Sequence, residues 1–112
     1  MEYFYGQYIT TCIYLGYDRS GLLKIGMTDN WERRLKQIRN MNPEFSFLCV
    51  IKHDKPAVAE AMLHTKYSNK RVIGEWFELS VEDVKEILDM FLPDPPSIED
   101  IMPMYKTATE GR

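Results

Sequence analysis

A phenol, an amine, a guanidinium and a carboxylate follow one another between residues 14 and 60 of this chain. They belong to Tyr14, Lys24, Arg34 and Glu60. A phenol or an amine can relay a proton, a guanidinium can bind phosphate oxygens, and a carboxylate can hold a divalent metal. Each of the four groups can therefore do a distinct job in the hydrolysis of a phosphodiester. We therefore predict a catalytic site built from them, with Glu60 as the metal ligand.

Each of the four residues also has an ordinary structural interpretation. Tyr14 could be a core aromatic, and Lys24 could be an exposed lysine on a strand. Arg34 could be a solvated arginine on a helix, which the pattern alone favours. Glu60 could be an exposed helical glutamate that pairs with His64 four residues later. The order and spacing of the set, more than any single member, support the catalytic interpretation.

Other polar residues are predicted to assist the four. His64 shares a helix stripe with Glu60, so we assign it a supporting catalytic role. Lys70 and Arg71 combine charge with the stacking surface of Trp76, as nucleic-acid grooves often do. The residues that we predict to bind substrate are Thr28, Arg33, Lys70, Arg71 and Trp76.

The metal itself can be inferred from the shortage of nitrogen and sulfur ligands near Glu60. The chain has two histidines, and His53 lies eleven residues before His64, which is not a zinc-ligand spacing. One carboxylate, completed by waters and a substrate phosphate, suits Mg²⁺ or Mn²⁺ better than Zn²⁺. We therefore expect Mg²⁺ or Mn²⁺ as the cofactor.

The net charge of −3 hides two regions of opposite charge. Residues 19–74 carry +6, whereas residues 75–112 carry −7. The basic region contains the candidate chemistry and predicts nucleic acid as a partner, DNA in the first place. The acidic region suggests a second partner, since it could occupy a positive groove or recruit a protein.

Length and composition indicate one soluble globular domain. The chain has 112 residues, of which 45% are hydrophobic and 28% charged. We expect a folded domain over residues 1–92 and a flexible, acidic, proline-rich tail over residues 93–112. No apolar run is long enough to span a membrane, and the two cysteines are expected to be buried free thiols. A cytoplasmic location follows, in the host if the protein is viral, or a nuclear one if it is eukaryotic.

The hydrophobic pattern predicts alternating strands and helices in an α+β domain. Tyr14 and Lys24 fall on the two strands of a hairpin, where we expect them to face each other and the ammonium to favour phenolate. Ser80 and Asp83 form a capping-box pattern at the start of the last helix. The predicted strands and extended segments are 8–15, 22–27, 45–51 and 76–79, and a basic loop is predicted at 68–74. Three helices are predicted to begin within residues 28–30, at Pro56 and at Ser80.

The chain resembles the GIY-YIG nuclease superfamily over roughly residues 8–90. Cys12-Ile13-Tyr14 matches the first motif with Cys for Gly, and Lys24-Ile25-Gly26 matches the second with Lys for Tyr. Arg34 and Glu60 fall where the helix arginine and the metal-binding glutamate belong. Gly74-Glu75-Trp76-Phe77 is similar to the closing motif of the phage and meiotic-gene branch. Together these motifs are specific, although each is weak alone.

This resemblance implies a three-stranded antiparallel sheet flanked by three helices, and one-metal hydrolysis of nucleic acid. Tyr14 would help to activate water, Arg34 would stabilise the developing charge, and Glu60 would hold Mg²⁺ near the leaving oxygen. Two departures bear on proton transfer. Cys12 adds bulk where the parent motif has Gly, and Lys24 removes a second tyrosine but could assist Tyr14.

Two function classes are compatible with these observations. The first is a metal-dependent endonuclease that acts on DNA. The second is a non-catalytic module that binds nucleic acid or inhibits a protein on the same scaffold, and the acidic tail motivates it. Loss of cleavage on removal of the Glu60 carboxylate is expected only for the first class.

Overall fold

The computed structural model describes residues 3–5, 11–97 and 100, and it has an α+β fold with three α-helices. A short 3₁₀ turn at Ser68–Lys70 follows the second helix. The strands are β1 (Tyr3–Tyr5), β2 (Cys12–Tyr17), β3 (Leu23–Thr28), β4 (Ser46–Lys52), β5 (Arg71–Ile73) and β6 (Trp76–Phe77), and the helices are α1 (Trp31–Met41), α2 (Pro56–Lys66) and α3 (Val81–Phe91).

The sheet has six strands, in the order β1-β4-β2-β3-β6-β5, so the prediction of a three-stranded sheet is wrong. The five strands from β2 to β6 pair antiparallel, and β1 pairs parallel with β4. The predicted basic loop at 68–74 contains β5, and the extended segment at 76–79 contains β6. These strands of three and two residues are too short to show an alternating pattern, and all of β5 is exposed.

The predicted helix starts are confirmed, because each one carries a local signal. Asn30 caps α1 by accepting a hydrogen bond from the Arg33 backbone N–H at 3.0 Å. Pro56 occupies the first turn of α2, where its missing N–H is not needed. Ser80 and Asp83 form the reciprocal capping box of α3. The helices that carry the candidate residues therefore begin where the sequence says they should.

The sheet separates two hydrophobic cores. On one face, α2 and α3 cover a large cluster that includes Ile25, Leu63 and Phe77. On the other face, a smaller cluster contains Tyr14 and packs against α1, whose inward residues are Trp31, Leu35 and Ile38. None of the α1 residues is completely buried. In α2, Ala59 and Leu63 are buried, whereas Met62 is 43% exposed.

The outer edge of β3 is only partly covered by another strand. β6 pairs with β3 at Leu23 and Lys24 and then ends. Beyond that point α2 packs beside β3, which brings helical side chains to the edge of the sheet. Residues from both faces of the sheet can therefore meet along this edge.

The remaining predictions on the chain as a whole have mixed outcomes. Cys12 and Cys49 are buried free thiols, as expected. Within the residues that the structure describes, no helix is long and apolar enough to cross a membrane. The predicted flexible tail at 93–112 falls largely outside the described residues. That the tail binds a partner therefore stays a prediction.

Candidate functional site

Tyr14 lies in the smaller core and crosses over a glycine on the neighbouring strand. In the β2–β3 register, Tyr14 is opposite Gly26. A Cβ atom added at Gly26 would lie 2.3 Å from Cζ and 2.4 Å from the hydroxyl oxygen of Tyr14. Phe47 packs against the tyrosine ring with centroids 4.9 Å apart. Because Gly26 has no side chain, the Tyr14 phenol can occupy this space.

Tyr14 and Lys24 are diagonal neighbours, and not the directly facing pair that we predicted. Lys24 is opposite Gly16, two pairs further along the hairpin than Tyr14 and Gly26. The two side chains still share a face of the sheet, because side chains alternate along both strands. The prediction that Lys24 favours phenolate is wrong. Burial, followed by the negative charge of Glu75, raises the pKa of Tyr14, and Arg34 opposes this rise only in part.

Lys24 is held by two residues of the segment that contains β6. Its Nζ atom lies 3.3 Å from a carboxylate oxygen of Glu75, and only 18% of the Lys24 side chain is exposed. The same ammonium lies 5.6 Å from the ring centre of Trp76, which is within cation–π range. Trp76 is the register partner of Lys24 in the β3–β6 pair. The ammonium therefore has a defined position.

Glu60 projects from α2 toward the same group of charges. Its neighbours Ala59 and Leu63 are buried, and Glu60 itself is half-buried. Partial burial raises the pKa of Glu60 and the charge of Glu75 adds to this, while His64, Lys24 and Arg34 lower it. These opposing influences mean that Glu60 lies within electrostatic range of both cations. On balance its charged form is disfavoured in the folded protein.

Arg34 approaches the site from the first turn of α1. Its side chain is partly buried, and its Nε atom is buried without a hydrogen-bond partner among the described residues. A buried donor without a partner typically costs about 1–3 kcal/mol. Arg34 lowers the pKa of both Tyr14 and Glu60, so its charge acts on both groups.

His64 is hydrogen-bonded through both ring nitrogens. An Nη2 atom of Arg71 lies 3.3 Å from Nδ1, and the backbone oxygen of Ile25 lies 2.9 Å from Nε2. Because arginine only donates, Nδ1 accepts and Nε2–H donates to Ile25, which assigns the neutral tautomer. The ring also packs edge-on against Phe77 at 5.0 Å. His64 thus joins α2 to the free edge of β3 beside Glu60.

The predicted substrate-binding residues do not form one surface. Thr28 is 5% exposed, and its hydroxyl bonds with the Asn30 backbone at the start of α1. Arg33 pairs with Asp29 at 3.0 Å. Lys70 pairs with Asp83 of α3, and Arg71 lies against His64 and over Phe77. Of the five, Trp76 contacts Lys24 and Arg71 contacts His64, and both contacted residues are catalytic candidates.

The donors at the site suit a hard cation better than a soft one. No group of three or more His, Cys, Asp and Glu side chains that could hold a metal occurs in the described part of the chain. Glu60 offers carboxylate oxygens in a half-buried position where its charge is disfavoured. Mg²⁺ is commonly held by one or two carboxylates together with waters and substrate phosphate. A metal ion at Glu60 would therefore need waters and substrate phosphate as its other ligands.

Glu75 is the residue that reasoning from the sequence missed. It pairs with Lys24, and its charge raises the pKa of both Tyr14 and Glu60. The available signal was its place in Gly74-Glu75-Trp76-Phe77, a segment that we had used only as a family marker. Its position beside Lys24 depends on the pairing of β6 with β3, and a two-residue strand gives no sequence pattern that reveals such pairing.

Comparison with known proteins gives one match, to a domain family. The family model described as the T5orf172 domain matches residues 8–92. Neither a curated protein nor a solved structure matches the chain. The matched segment contains Tyr14, Lys24, Arg34 and Glu60, and it ends one residue after α3. The family is related to GIY-YIG and other nuclease-like folds. Because the match covers most of the 112 residues, the protein belongs to the T5orf172 domain family.

Proposed function

We propose that this protein is a GIY-YIG-type, metal-dependent endonuclease that hydrolyses phosphodiester bonds in DNA. The observation that carries the proposal is the electrostatic coupling of the four candidate groups. The pKa of Glu60 is affected by Lys24 and Arg34, and the pKa of Tyr14 is affected by Arg34 and Glu60. Side chains from β2, β3, α1 and α2 therefore lie close enough to interact electrostatically. Membership of a family related to nuclease-like folds supports the same function.

In the proposed reaction, two cations stabilise the charge that develops on the phosphate. Arg34, whose buried Nε lacks a partner among the described residues, would donate to the phosphate, and Lys24 would supply a positioned ammonium. Preorganised donors of this kind are typically worth about 10²–10³ in rate each. Both groups are held in place before substrate arrives, by α1 and by the β3–β6 pair.

Tyr14 and His64 have roles that follow from their surroundings. The raised pKa of Tyr14 keeps its hydroxyl protonated at neutral pH. We therefore infer that the phenol orients the attacking water by hydrogen bonding, and does not act as a preformed phenolate. His64, engaged through both nitrogens, keeps α2 against Ile25 and so positions Glu60. A direct catalytic role for His64 stays a prediction.

Glu60 would hold Mg²⁺ or Mn²⁺ at the site. When bound, such an ion supplies Lewis-acid stabilisation of the leaving oxygen. The carboxylate must be ionised to serve as a ligand, and this is opposed by its partial burial and by Glu75. Metal binding and protonation therefore compete for Glu60.

The test is cleavage of supercoiled plasmid DNA by the purified protein with Mg²⁺ or Mn²⁺. We expect the wild type to nick the plasmid, and Glu60→Gln and Arg34→Ala to lose about 10²-fold or more in rate. Glu82→Gln and Lys36→Ala are matched controls, because both remove an exposed charge from a helix. We expect both controls to retain activity, and all four variants to keep the circular dichroism spectrum of the wild type.

Two results would contradict parts of the proposal. Cleavage by Glu60→Gln at the wild-type rate would exclude Glu60 as the essential metal ligand. A wild type that binds DNA but cuts neither plasmid nor single strands with either metal would favour the non-catalytic binding module. In that case Arg34→Ala should still weaken binding, because the guanidinium would contact phosphate in both functions.

A further inference from the structure

Glu75 enters the site from the turn that joins β5 and β6. Gly74, immediately before it, has a φ of +55°, which favours glycine and turns the chain back toward β3. The backbone oxygen of Glu75 accepts a hydrogen bond from the Ile25 N–H at 3.0 Å. This bond fixes the Glu75 backbone next to β3. Its side chain, 38% exposed, then reaches the Lys24 ammonium at 3.3 Å.

The Lys24 ammonium interacts with more than one group of the site. Glu75 lies within ion-pair distance, and the Trp76 ring lies within cation–π distance. Lys24 also acts on Glu60, since it lowers the Glu60 pKa against the larger rise caused by burial and Glu75. A substrate phosphate that binds Lys24 must therefore compete with the Glu75 carboxylate for the same ammonium.

In the protein without substrate or metal, the charged side chains counted next have a net charge of zero. Lys24 and Arg34 contribute two positive charges, and Glu60 and Glu75 contribute two negative charges. The site by itself thus has no excess of positive charge with which to attract a phosphodiester. Removal of the Glu75 charge would leave an excess of one positive charge, located on Lys24.

We propose that Glu75 is a positioning residue for Lys24, which holds the ammonium in the site and competes with substrate phosphate for it. The inference rests on the proposed function, because it assumes that DNA phosphate enters this site. Glu75 keeps the ammonium near the phosphate position before substrate arrives, which favours the reaction. The same contact weakens binding of DNA in the ground state. Binding and catalysis should therefore respond to its removal in opposite directions.

The experiment compares Glu75→Gln with Glu78→Gln, which removes an equal charge from an exposed residue three positions later. Binding of a duplex oligonucleotide is measured in EDTA over a range of KCl concentrations, and cleavage is measured separately with Mg²⁺. We expect Glu75→Gln to bind about tenfold more tightly than Glu78→Gln. The slope of log Kd against log salt should steepen by about one, since one further phosphate contact contributes about 0.9.

Lysine variants establish whether the effect acts through Lys24. In the Lys24→Met background, Glu75→Gln should leave both the affinity and the salt slope unchanged, because no ammonium is left to release. With Mg²⁺, Glu75→Gln should lower both kcat and KM, since substrate binds more tightly but the ammonium is less well placed. A merely structural role for Glu75 would not produce a steeper salt slope together with tighter binding.

The outcomes separate this inference from the proposed function. If the wild type cleaves DNA but Glu75→Gln and Glu78→Gln show the same affinity and salt slope, the role of Glu75 is overturned and the nuclease assignment stands. If Glu75→Gln still tightens binding in the Lys24→Met background, the effect does not act through Lys24 and the inference is also wrong. If the wild type neither binds nor cleaves DNA, both proposals fail.

Discussion

Replacement of Gly26 by alanine should inactivate the protein by moving Tyr14. The added Cβ would lie 2.3 Å from Cζ of Tyr14, whereas non-bonded carbon atoms prefer about 3.5 Å or more. The ring must therefore retreat by about 1.2 Å. It cannot do so freely, because Tyr14 is 1% exposed and packs against Phe45 and Phe47. Overpacking of this kind costs about 1–3 kcal/mol, and a displacement of about 1 Å at a catalytic group can cost about 10²-fold in rate.

Gly16→Ala provides a matched control for this substitution. A Cβ at Gly16 would lie 2.2 Å from Cζ of Phe45, in the same core and on the same sheet face. Both variants should lower the melting temperature, measured by circular dichroism. In plasmid nicking, corrected for the folded fraction, Gly26→Ala should lose about 10²-fold, and Gly16→Ala should lose much less.

The Tyr14→Phe background makes the test stricter. Once the hydroxyl is gone, Gly26→Ala should cause little further loss of activity, although it should still destabilise the fold. The reasoning would be refuted if Gly26→Ala and Gly16→Ala had equal activity per folded molecule. It would also be refuted if Gly26→Ala lost as much activity in the Tyr14→Phe background as in the wild type.

Three further predictions follow from individual residues. Glu60→Gln should raise the melting temperature at pH 7, because the pKa of Glu60 is raised on folding and its charged form is therefore penalised. The gain should disappear below about pH 4, where the unfolded carboxyl is also protonated, and a gain that persists there would contradict this cause. Ser80→Ala should destabilise the protein by about 1 kcal/mol in chemical denaturation, since it removes half of the capping box with Asp83; an unchanged midpoint would mean that α3 starts without it. Cys12 and Cys49 should react with a thiol reagent at pH 8 only on unfolding, because burial raises their pKa values to about 11 and about 12; rapid labelling of the folded protein would show that they are accessible.

The parts of the fold that could be predicted have strong local signals. Asn30, Pro56 and Ser80 fix the starts of the three helices through capping and through the conformation of proline. The hairpin of β2 and β3 could be predicted, with β2 marked by its β-branched and aromatic residues. Its register could not, because the residues 18–22 between the strands allow more than one pairing. Lys24 was therefore placed opposite Tyr14, which is two residues from its actual partner Gly16.

The sequence identified most of the candidate site residues, but not their positions relative to one another. Arg34 and Glu60 could be identified because each lies on a helix whose position the sequence specifies. Glu75 could not, since its role depends on a tertiary pairing of two residues between β3 and β6. Lys70 was assigned to substrate from composition, whereas its ion pair with Asp83 on α3 depends on how the helices pack. Which charged side chains form ion pairs depends on how the core packs, and composition alone does not reveal this.

The separation of two cores by one sheet has a consequence for the cooperativity of the site. Arg34 is carried by α1, which packs on the smaller core and has no completely buried residue. Glu60 is carried by α2, which packs on the larger core through Ala59 and Leu63. Helices with little burial open locally at a lower free energy than the rest of a domain. Arg34 can therefore be lost from the candidate site by fraying of α1 alone, while Lys24, Glu60 and the sheet remain in place.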